Sequence, residues 1–305
     1  LAVLGTAIRD SSVASMAIVT SEIEHKAVSE AVEKARGWGH RVTLVGCDRN
    51  GVVAVDDVSA VVSAETGLVS IMAANNEVGT LQPVGEIARA VRETNSGAIV
   101  HTDAVQAFVG AELRPVIGDV DMVSLAAHKF GGPKGVGILT VPPGHELEAM
   151  LIGGGQEAGR RSGTSNVPAV VSMVAAMEAA QRDRNRFLVV VGGERDAFEA
   201  ELLERLGDPA VTAGSGSRMP HFSHVRIPGV KAESLLIRLD QVGVYAAAGS
   251  ACQSGAVEPS HVLTAMGMDP EVASECVRFT FGWDTGPSDG IRAAGMVADV
   301  VESLR

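Results

Sequence analysis

Lys129 is the residue of this chain that is best placed to act as a nucleophile. It follows the apolar segment 122–127, which is typical of a buried strand, and it precedes the glycine-rich turn 131–135. A lysine that is shielded from water at such a strand end has a lowered pKa and attacks carbonyl carbons. The alternative for a single lysine here is a solvated loop side chain, so its role depends on the residues around it.

Cys252 is the second residue with a reactive side chain. It lies in the segment 248–260, which consists mostly of small residues and is typical of a mobile loop rather than of a core. A thiol in such a loop is accessible and can reach a substrate. The alternative is a small-residue turn with an incidental buried cysteine, which is what we expect for Cys47 and Cys276 in their more apolar segments.

The composition excludes several classes of protein. The chain has 305 residues, 46% of them hydrophobic, which is enough for one large or two medium domains. A net charge of -12 argues against general binding of nucleic acid or of an anionic membrane. The three cysteines are an odd, sparse set without a Cys-x-x-Cys pair, so we predict no disulfide framework and a reducing, cytoplasmic location. We also predict no metal site. No apolar segment is long enough to span a membrane.

Alternating strand and helix patterns must position the reactive residues. Strands are predicted at 15–21, 41–45, 67–73, 98–103 and 120–127, and helices at 24–36, 55–63 and 83–95. Strands separated by helices of this length indicate parallel β-α-β units in an α/β fold. A long helix over 170–206, broken near Gly192 and Gly193, then leads into shorter mixed elements. We therefore predict a large domain over 1–181 and a smaller α+β domain over 182–305.

Four polar clusters come directly after apolar strand-like segments. They are His25, the pair Asn75 and Asn76, the pair Asp103 and Gln106, and the pair His128 and Lys129. In parallel sheets, ligands bind at the carboxyl ends of the strands. One such cluster is ordinary turn chemistry, because asparagine and aspartate are common in turns. Four of them predict one shared pocket.

Read in order, a set of short motifs resembles the cysteine desulfurases, which are pyridoxal-phosphate (PLP) enzymes of the aspartate-aminotransferase fold type. Besides the segment around Lys129, the motifs are TSEIEHKAV at 20–28, NNEVG at 75–79, HTDAVQ at 101–106, GGGQE at 153–157, RSGT at 161–164, GSAC at 249–252 and VRF at 277–279. The resemblance covers essentially the whole chain. The residues 258–260 after Cys252 are similar to the branch that serves iron–sulfur and nitrogenase assembly.

The resemblance implies a role for each residue at the cofactor. Lys129 holds PLP covalently, and Asp103 keeps the pyridine nitrogen protonated so that the ring accepts electrons. Gln106 and Asn76 bind the phenolate oxygen of PLP, and His25 stacks on the ring and takes part in proton transfer.

The phosphate group has two further candidates by the same resemblance. His128 binds on the phosphate side, and Thr164 reaches the phosphate of a neighbouring subunit, which implies a homodimer. An alternative for Thr164 is the N-cap of the helix that follows, and both roles can coexist.

The resemblance also implies the substrate chemistry. Arg278 grips the carboxylate of L-cysteine with both arms of its guanidinium, and Asn76 contributes to substrate binding. Cys252 attacks the substrate sulfur and becomes a persulfide, L-alanine is released, and the sulfur passes to an acceptor such as an iron–sulfur scaffold protein.

Two departures from the family pattern affect the phosphate site. Ala126 stands where the family commonly has a phosphate-binding serine, and Ser124 is the nearest hydroxyl on the same strand face. The family also has a glycine-containing turn with a phosphate-binding threonine, which we expect before Leu1. The sequence as given begins at Leu1 in a helical pattern. We therefore expect this chain to bind PLP weakly. Two alternatives stay open, a PLP-dependent transaminase or lyase without persulfide chemistry and a non-catalytic, truncated paralogue.

Overall fold

A computed structural model describes residues 1–9, 15–249 and 260–305. The chain forms two compact units. The first contains Leu1–Cys47, Val53–Ala74 and Gln82–Arg182, and the second contains Asp48–Val52, Asn75–Leu81 and Asp183–Arg305. The division into domains 1–181 and 182–305 stays a prediction. Among the described helices, none combines the length and the apolar character needed to cross a membrane.

The first unit is built on a six-stranded sheet. Its strands are β1 Ala17–Ser21, β2 Arg41–Val45, β3 Thr66–Ser70, β4 Ile99–Asp103, β5 Met122–Ala126 and β6 Gly137–Leu139. The order is β2-β1-β3-β4-β5-β6, with β1 to β5 parallel and β6 antiparallel to β5. The helices of this unit are α1 Ala2–Arg9, α2 Lys26–Gly37, α3 Val55–Val61, α4 Val84–Thr94, α5 Ala107–Gly110, α6 Leu113–Ile117 and α7 Val167–Arg182.

Helical periodicity explains how these elements pack. In α4 the buried residues Val84, Ile87, Ala88 and Val91 recur at the spacing of one helix face. In the sheet, the central strands are mostly buried, with four of the five residues of β3 and three of the five residues of β4 buried. This pattern is typical of a parallel sheet covered on both faces. It confirms the α/β fold and the parallel β-α-β units that the sequence predicts.

The second unit contains a three-stranded antiparallel sheet, in the order β7-β8-β9. Its strands are β7 Ala210–Val211, β8 Phe222–Arg226 and β9 Cys276–Thr280, and its helices are α8 Arg184–Arg186, α9 Gly192–Leu206, α10 Ala232–Gln241, α11 His261–Ala265, α12 Pro270–Ala273 and α13 Asp289–Leu304. A core that includes Phe198, Leu235 and Val297 lies between the sheet and the long helices. The smaller α+β unit is therefore present as the fold prediction requires.

The long helix predicted over 170–206 is interrupted at a different place from the one expected. The chain leaves helical geometry at Asp183, and residues Phe187–Val191 form a π-helical turn before α9. Gly192 and Gly193 lie within regular helix instead of breaking it. The prediction at the two glycines was wrong because a glycine lowers helix stability without removing a backbone hydrogen bond, as a proline would.

Candidate active site

His25 lies at the start of α2, directly after β1 in the chain. Its side chain caps the helix, since Nδ1 accepts a hydrogen bond of 3.1 Å from the backbone N–H of Ala27. An accepting Nδ1 places the proton of the neutral imidazole on Nε2. The half-buried ring therefore has one nitrogen fixed by the helix and the other available for proton transfer.

Asp103 is the last residue of β4, and its carboxylate lies near two of the other predicted site residues. Oδ1 accepts a hydrogen bond of 3.0 Å from the backbone N–H of Val105. Burial raises the pKa of Asp103, while the Val105 hydrogen bond and the charges of His25 and Lys129 oppose that rise. His25 and Lys129 therefore both lie within electrostatic range of Asp103. Whether these residues form one pocket stays a prediction.

Lys129 and His128 lie in a short 3-10 turn that follows β5 directly. The turn is tight, because a Cβ on Gly132 would come within 2.9 Å of the Ala127 Cβ. Both side chains are exposed, so the described residues do not shield Lys129 from water as we expected. Partial desolvation, and then the charges of Lys129 and Lys134, lower the pKa of His128.

Two further predicted site residues, Gln106 and Thr164, lie in the first unit. Gln106 precedes α5 but does not cap it, so the helix makes no use of the side-chain amide. Thr164 is exposed in the segment before α7. Whether either residue touches a cofactor stays a prediction.

A hydroxyl–imidazole–hydroxyl chain crosses three strands of the first unit, and the sequence reasoning gave it no role. His101 on β4 lies between Ser70 on β3 and Ser124 on β5, with Nδ1 to Oγ and Nε2 to Oγ distances of 2.8 Å and 2.8 Å. Burial lowers the pKa of His101 to about 3, so the ring is neutral. The Ser124 hydroxyl is thus already engaged. The sequence signal that could have revealed this chain of hydrogen bonds was His101, a polar residue inside a predicted strand.

Glu24 is a second residue that the sequence reasoning left without a role. Its side chain is fully buried, and Oε1 accepts hydrogen bonds from Ser21 Oγ at 2.6 Å and from the backbone N–H of Met72 at 2.9 Å. Burial raises the pKa of Glu24 to about 8, the two hydrogen bonds oppose this rise, and the charge of Asp103 adds to it. Glu24 is therefore an uncharged acid beside Asp103 at neutral pH.

Asn76 and Arg278 both belong to the second unit and contact each other. Arg278 Nη1 donates to the carbonyl oxygen of Asn76 at 2.7 Å. The neighbouring Asn75 is buried and structural, since its Oδ1 accepts from the backbone N–H groups of Glu77 and Val78 at 2.8 and 3.0 Å. Only the second asparagine of the motif is thus left half-exposed on the turn.

The three cysteines differ in environment. Cys276 is buried on β9, and burial raises the pKa of its thiol to about 12, so it is unreactive. Cys47 is half-buried. Cys252 lies outside the described residues, and its role stays a prediction.

Comparison with known proteins places this arrangement in a family. The model of the class-V aminotransferases matches residues 3–289. The chain is 38% identical over 291 residues to the cysteine desulfurase of Gluconacetobacter diazotrophicus, which covers 94% of this chain and 72% of that protein. The chain belongs to the class-V aminotransferase family, and within it to the cysteine desulfurases.

Two more similarities connect this chain with the cysteine desulfurases. It is 36% identical over 288 residues to the cysteine desulfurase IscS of Dictyoglomus turgidum, covering 94% of this chain and 73% of that protein. The solved structure of a NifS-like protein superposes with a TM-score of 0.89 at 32% identity, covering 99% of this chain and 79% of that chain. The PLP fold type that the motifs imply is therefore confirmed.

Proposed function

We propose that this chain is a PLP-dependent cysteine desulfurase, which converts L-cysteine into L-alanine and takes up the sulfur on Cys252. The observation that carries the proposal is the grouping of His25, Asp103 and Lys129 at one edge of the sheet. These are the residue types that PLP chemistry requires, and they occur in a chain whose named relatives are cysteine desulfurases.

The residues at the pyridine end fit the cofactor. Asp103 is a carboxylate whose pKa is raised by burial, and such a group gains by sharing the proton of a ring nitrogen. The amine of Lys129 is exposed at the end of the neighbouring strand and is free to bond covalently to an aldehyde. The amide of Gln106, which α5 does not use, supports a hydrogen bond to the phenolate oxygen.

The phosphate end has fewer donors than the family pattern provides. Ala126 offers no hydroxyl, and the hydroxyl of Ser124 is engaged with His101. His128 and Thr164 are exposed and carry donor groups. We assign the phosphate to these two side chains, with Thr164 acting on a neighbouring subunit.

PLP, when bound, supplies an electron sink for bonds that break at the substrate's carbon atoms. The residues of the chain do the rest. Arg278 and Asn76 hold the substrate carboxylate, and His25 moves protons through Nε2, because Nδ1 is occupied by the Ala27 amide. Asp103 keeps the ring nitrogen protonated.

The sulfur step takes place on the chain's own cysteine. The thiolate of Cys252 attacks the sulfur of the substrate, and the bond between that sulfur and the substrate Cβ breaks, leaving its electron pair on the carbon side. The proton lost by the Cys252 thiol balances the proton gained by Cβ in L-alanine. Cys252 is left as a persulfide, whose outer sulfur passes to an acceptor such as an iron–sulfur scaffold protein.

A homodimer and a cytoplasmic location complete the proposal. Apolar side chains of the first unit are exposed on either side of Thr164 in the chain, with Ile152 at 89% and Val171 at 63%. Exposed apolar surface of this kind supports a partner subunit. The cytoplasmic location rests on the cysteine count.

The test is to measure alanine formed per cysteine consumed by the PLP-loaded protein and by two serine variants. Cys252→Ser is expected to keep the visible PLP spectrum and lose sulfide release, whereas Cys276→Ser is expected to keep both, because its thiol is buried. Pyruvate or another oxo acid in place of alanine would indicate a transaminase or lyase. Undiminished desulfuration by Cys252→Ser would overturn the persulfide mechanism.

A further inference from the structure

One face of the three-stranded sheet in the second unit carries both Arg278 and a buried phenylalanine. In the antiparallel pair of β8 and β9, Phe222 lies opposite Thr280, and His224 lies opposite Arg278. Side chains alternate between the two faces along each strand. Phe222 and Arg278 are therefore diagonal neighbours on the same face, within reach of an aromatic and a long side chain.

The aromatic ring of Phe222 lies against the guanidinium of Arg278. The guanidinium carbon lies over the ring, 5.8 Å from the ring centre. At this distance the electron-rich face of a ring attracts a cation, and the attraction is larger where water is excluded. Phe222 is only 2% exposed. A hydrogen bond of 2.7 Å from Nη1 to the carbonyl oxygen of Asn76 holds one arm of the same guanidinium.

The orientation of the Phe222 ring is set by a row of other rings in the second unit. The rings of Phe222 and His221 lie at 62° to each other, with their centres 4.6 Å apart. His221 in turn packs edge-on against Phe187 at 5.2 Å, and Phe187 packs against Trp283 at 4.4 Å. Tilted and edge-on contacts are favoured between aromatic rings. Burial lowers the pKa of His221 to about 3, so this ring is neutral and does not repel the guanidinium.

The backbone around Phe222 is anchored as well. Arg195 on α9 is buried, and its Nη1 donates to the carbonyl oxygens of Met219 at 3.3 Å and of Phe222 at 3.0 Å. The backbone N–H of Met219 donates to the carbonyl oxygen of Gly79 at 2.8 Å. The segment 219–222 therefore joins α9 to the turn 75–79, which carries Asn76.

Phe222 also packs directly against that turn. Gly79 has a φ of 80°, and a Cβ built on it would lie 2.6 Å from the Cβ of Phe222 and 2.9 Å from its Cγ. The turn can approach Phe222 this closely only because residue 79 is a glycine. Phe222 thus contacts Arg278 with its ring, and with its Cβ and Cγ it supports the turn of Asn76.

We propose that Phe222 is a positioning residue that holds the guanidinium of Arg278 in the orientation that receives the carboxylate of the α-amino acid substrate. This inference rests on the proposed function, because it takes Arg278 as the group that binds that carboxylate. Phe222 does not touch the substrate. Its ring covers one face of the guanidinium and leaves the edge, where the N–H donors point, to the ligand. Arg278 then loses less conformational freedom when the carboxylate binds.

The experiment removes the ring and keeps the rest of the contact. Phe222→Leu retains the Cβ and Cγ atoms that face Gly79. Binding of L-alanine, and of ethylamine, which is L-alanine without its carboxylate, to the PLP-loaded protein is followed by visible absorption. We expect Phe222→Leu to weaken L-alanine about three- to thirtyfold, the range of a cation–π contact shielded from water, and ethylamine by less than about twofold. The KM for L-cysteine should rise by a larger factor than kcat falls. Equal weakening of both ligands, or of neither, would overturn the proposal.

Two further variants separate positioning from stability. Phe198 lies in the core on the other face of the sheet, with its ring centre 4.8 Å from that of Phe279. Phe198→Leu loses the same atoms, so it should lower the melting temperature and leave the preference for L-alanine over ethylamine unchanged. An equal loss of preference in this control would contradict a specific role of Phe222. Pentafluorophenylalanine in place of Phe222 keeps a flat ring but reverses the charge of its face, so it should weaken L-alanine relative to ethylamine. An unchanged preference there would rule out the cation–π contact.

A measurement on the cofactor-free protein makes the outcome for Phe222 independent of the proposed function. Protons over the face of an aromatic ring resonate upfield, so in arginine-labelled protein the side-chain resonances of Arg278 should move downfield in Phe222→Leu. They are assigned by their loss in Arg278→Lys, and unchanged positions would contradict the contact. If the wild type releases no alanine from cysteine, the proposed function fails, whatever these resonances show. If it releases alanine and Phe222→Leu keeps the ligand preference of the wild type, only the role of Phe222 fails.

Discussion

Replacing Glu24 by glutamine should stabilise the cofactor-free protein at alkaline pH. The glutamine keeps a side-chain oxygen that can accept from Ser21 Oγ and from the Met72 amide, the two hydrogen bonds that Glu24 Oε1 makes at 2.6 and 2.9 Å. It has no proton to lose. In the wild type, burial raises the pKa of Glu24 from the ordinary value of 4.5 to about 8 in the folded state.

The sign and size of the effect follow from proton linkage. Below pH 4.5 the carboxyl is protonated in both the folded and the unfolded chain, so it imposes no pH-dependent cost. As the pH rises to about 8, the unfolded chain releases its proton first, and the stability given by the protonated carboxyl is lost. At about 1.4 kcal/mol per pKa unit, the advantage of the glutamine should grow by about 3 to 4 kcal/mol between about pH 5 and about pH 8.

The assay is thermal unfolding of the first unit at several pH values. Trp38 follows α2 in the first unit and the other tryptophan, Trp283, belongs to the second, so a Trp283→Phe background isolates the first unit. The melting temperature of Glu24→Gln should exceed that of the background by an amount that rises by about 10 °C over this pH interval. The matched control is Glu22→Gln, since Glu22 is exposed two residues away. A difference that does not change with pH, or an equal change in the control, would refute an uncharged, buried Glu24.

Two further predictions concern the cofactor. Borohydride reduction of the PLP-loaded protein followed by peptide mapping should place the label on Lys129, which follows β5 directly, and a label on Lys134 in the turn beyond Pro133 would contradict the assignment. Asp103→Asn should weaken PLP binding about ten- to a hundredfold in an absorption titration, the cost of a charge-assisted hydrogen bond. Asp121→Asn is its control, because Asp121 accepts from the Val100 amide and Arg92 and should leave the affinity unchanged.

The sheet could be predicted from the sequence because each strand carries its own signal. β2 lies where the alternation at 41–45 placed it, and β4 and β5 end within one residue of the predicted boundaries. The residues just beyond these strands follow from the same pattern, since the carboxyl ends of parallel strands share one edge. This is why His25, Asp103 and Lys129 could be predicted to lie near one another before the structure was known.

The supporting residues could not be predicted in the same way, because their roles depend on contacts between distant parts of the chain. Glu24 is an ordinary acidic residue before a helix until Met72 donates to it, and nothing in its neighbourhood in the chain announces that contact. The pKa of Glu77 likewise depends on Ser260, His261 and Arg278, which are far from it in the chain.

Burial acts in the same direction on the two acids, because it raises the pKa of both, but their charged neighbours differ. Glu24 has another acid, Asp103, as its charged neighbour, and it is relieved by staying protonated. Burial also raises the pKa of Glu77, while the Ser260 hydroxyl, His261 and Arg278 oppose that rise. In the proposed function, a protonated Glu24 leaves the negative charge on Asp103, which is the group assigned to the proton of the ring nitrogen.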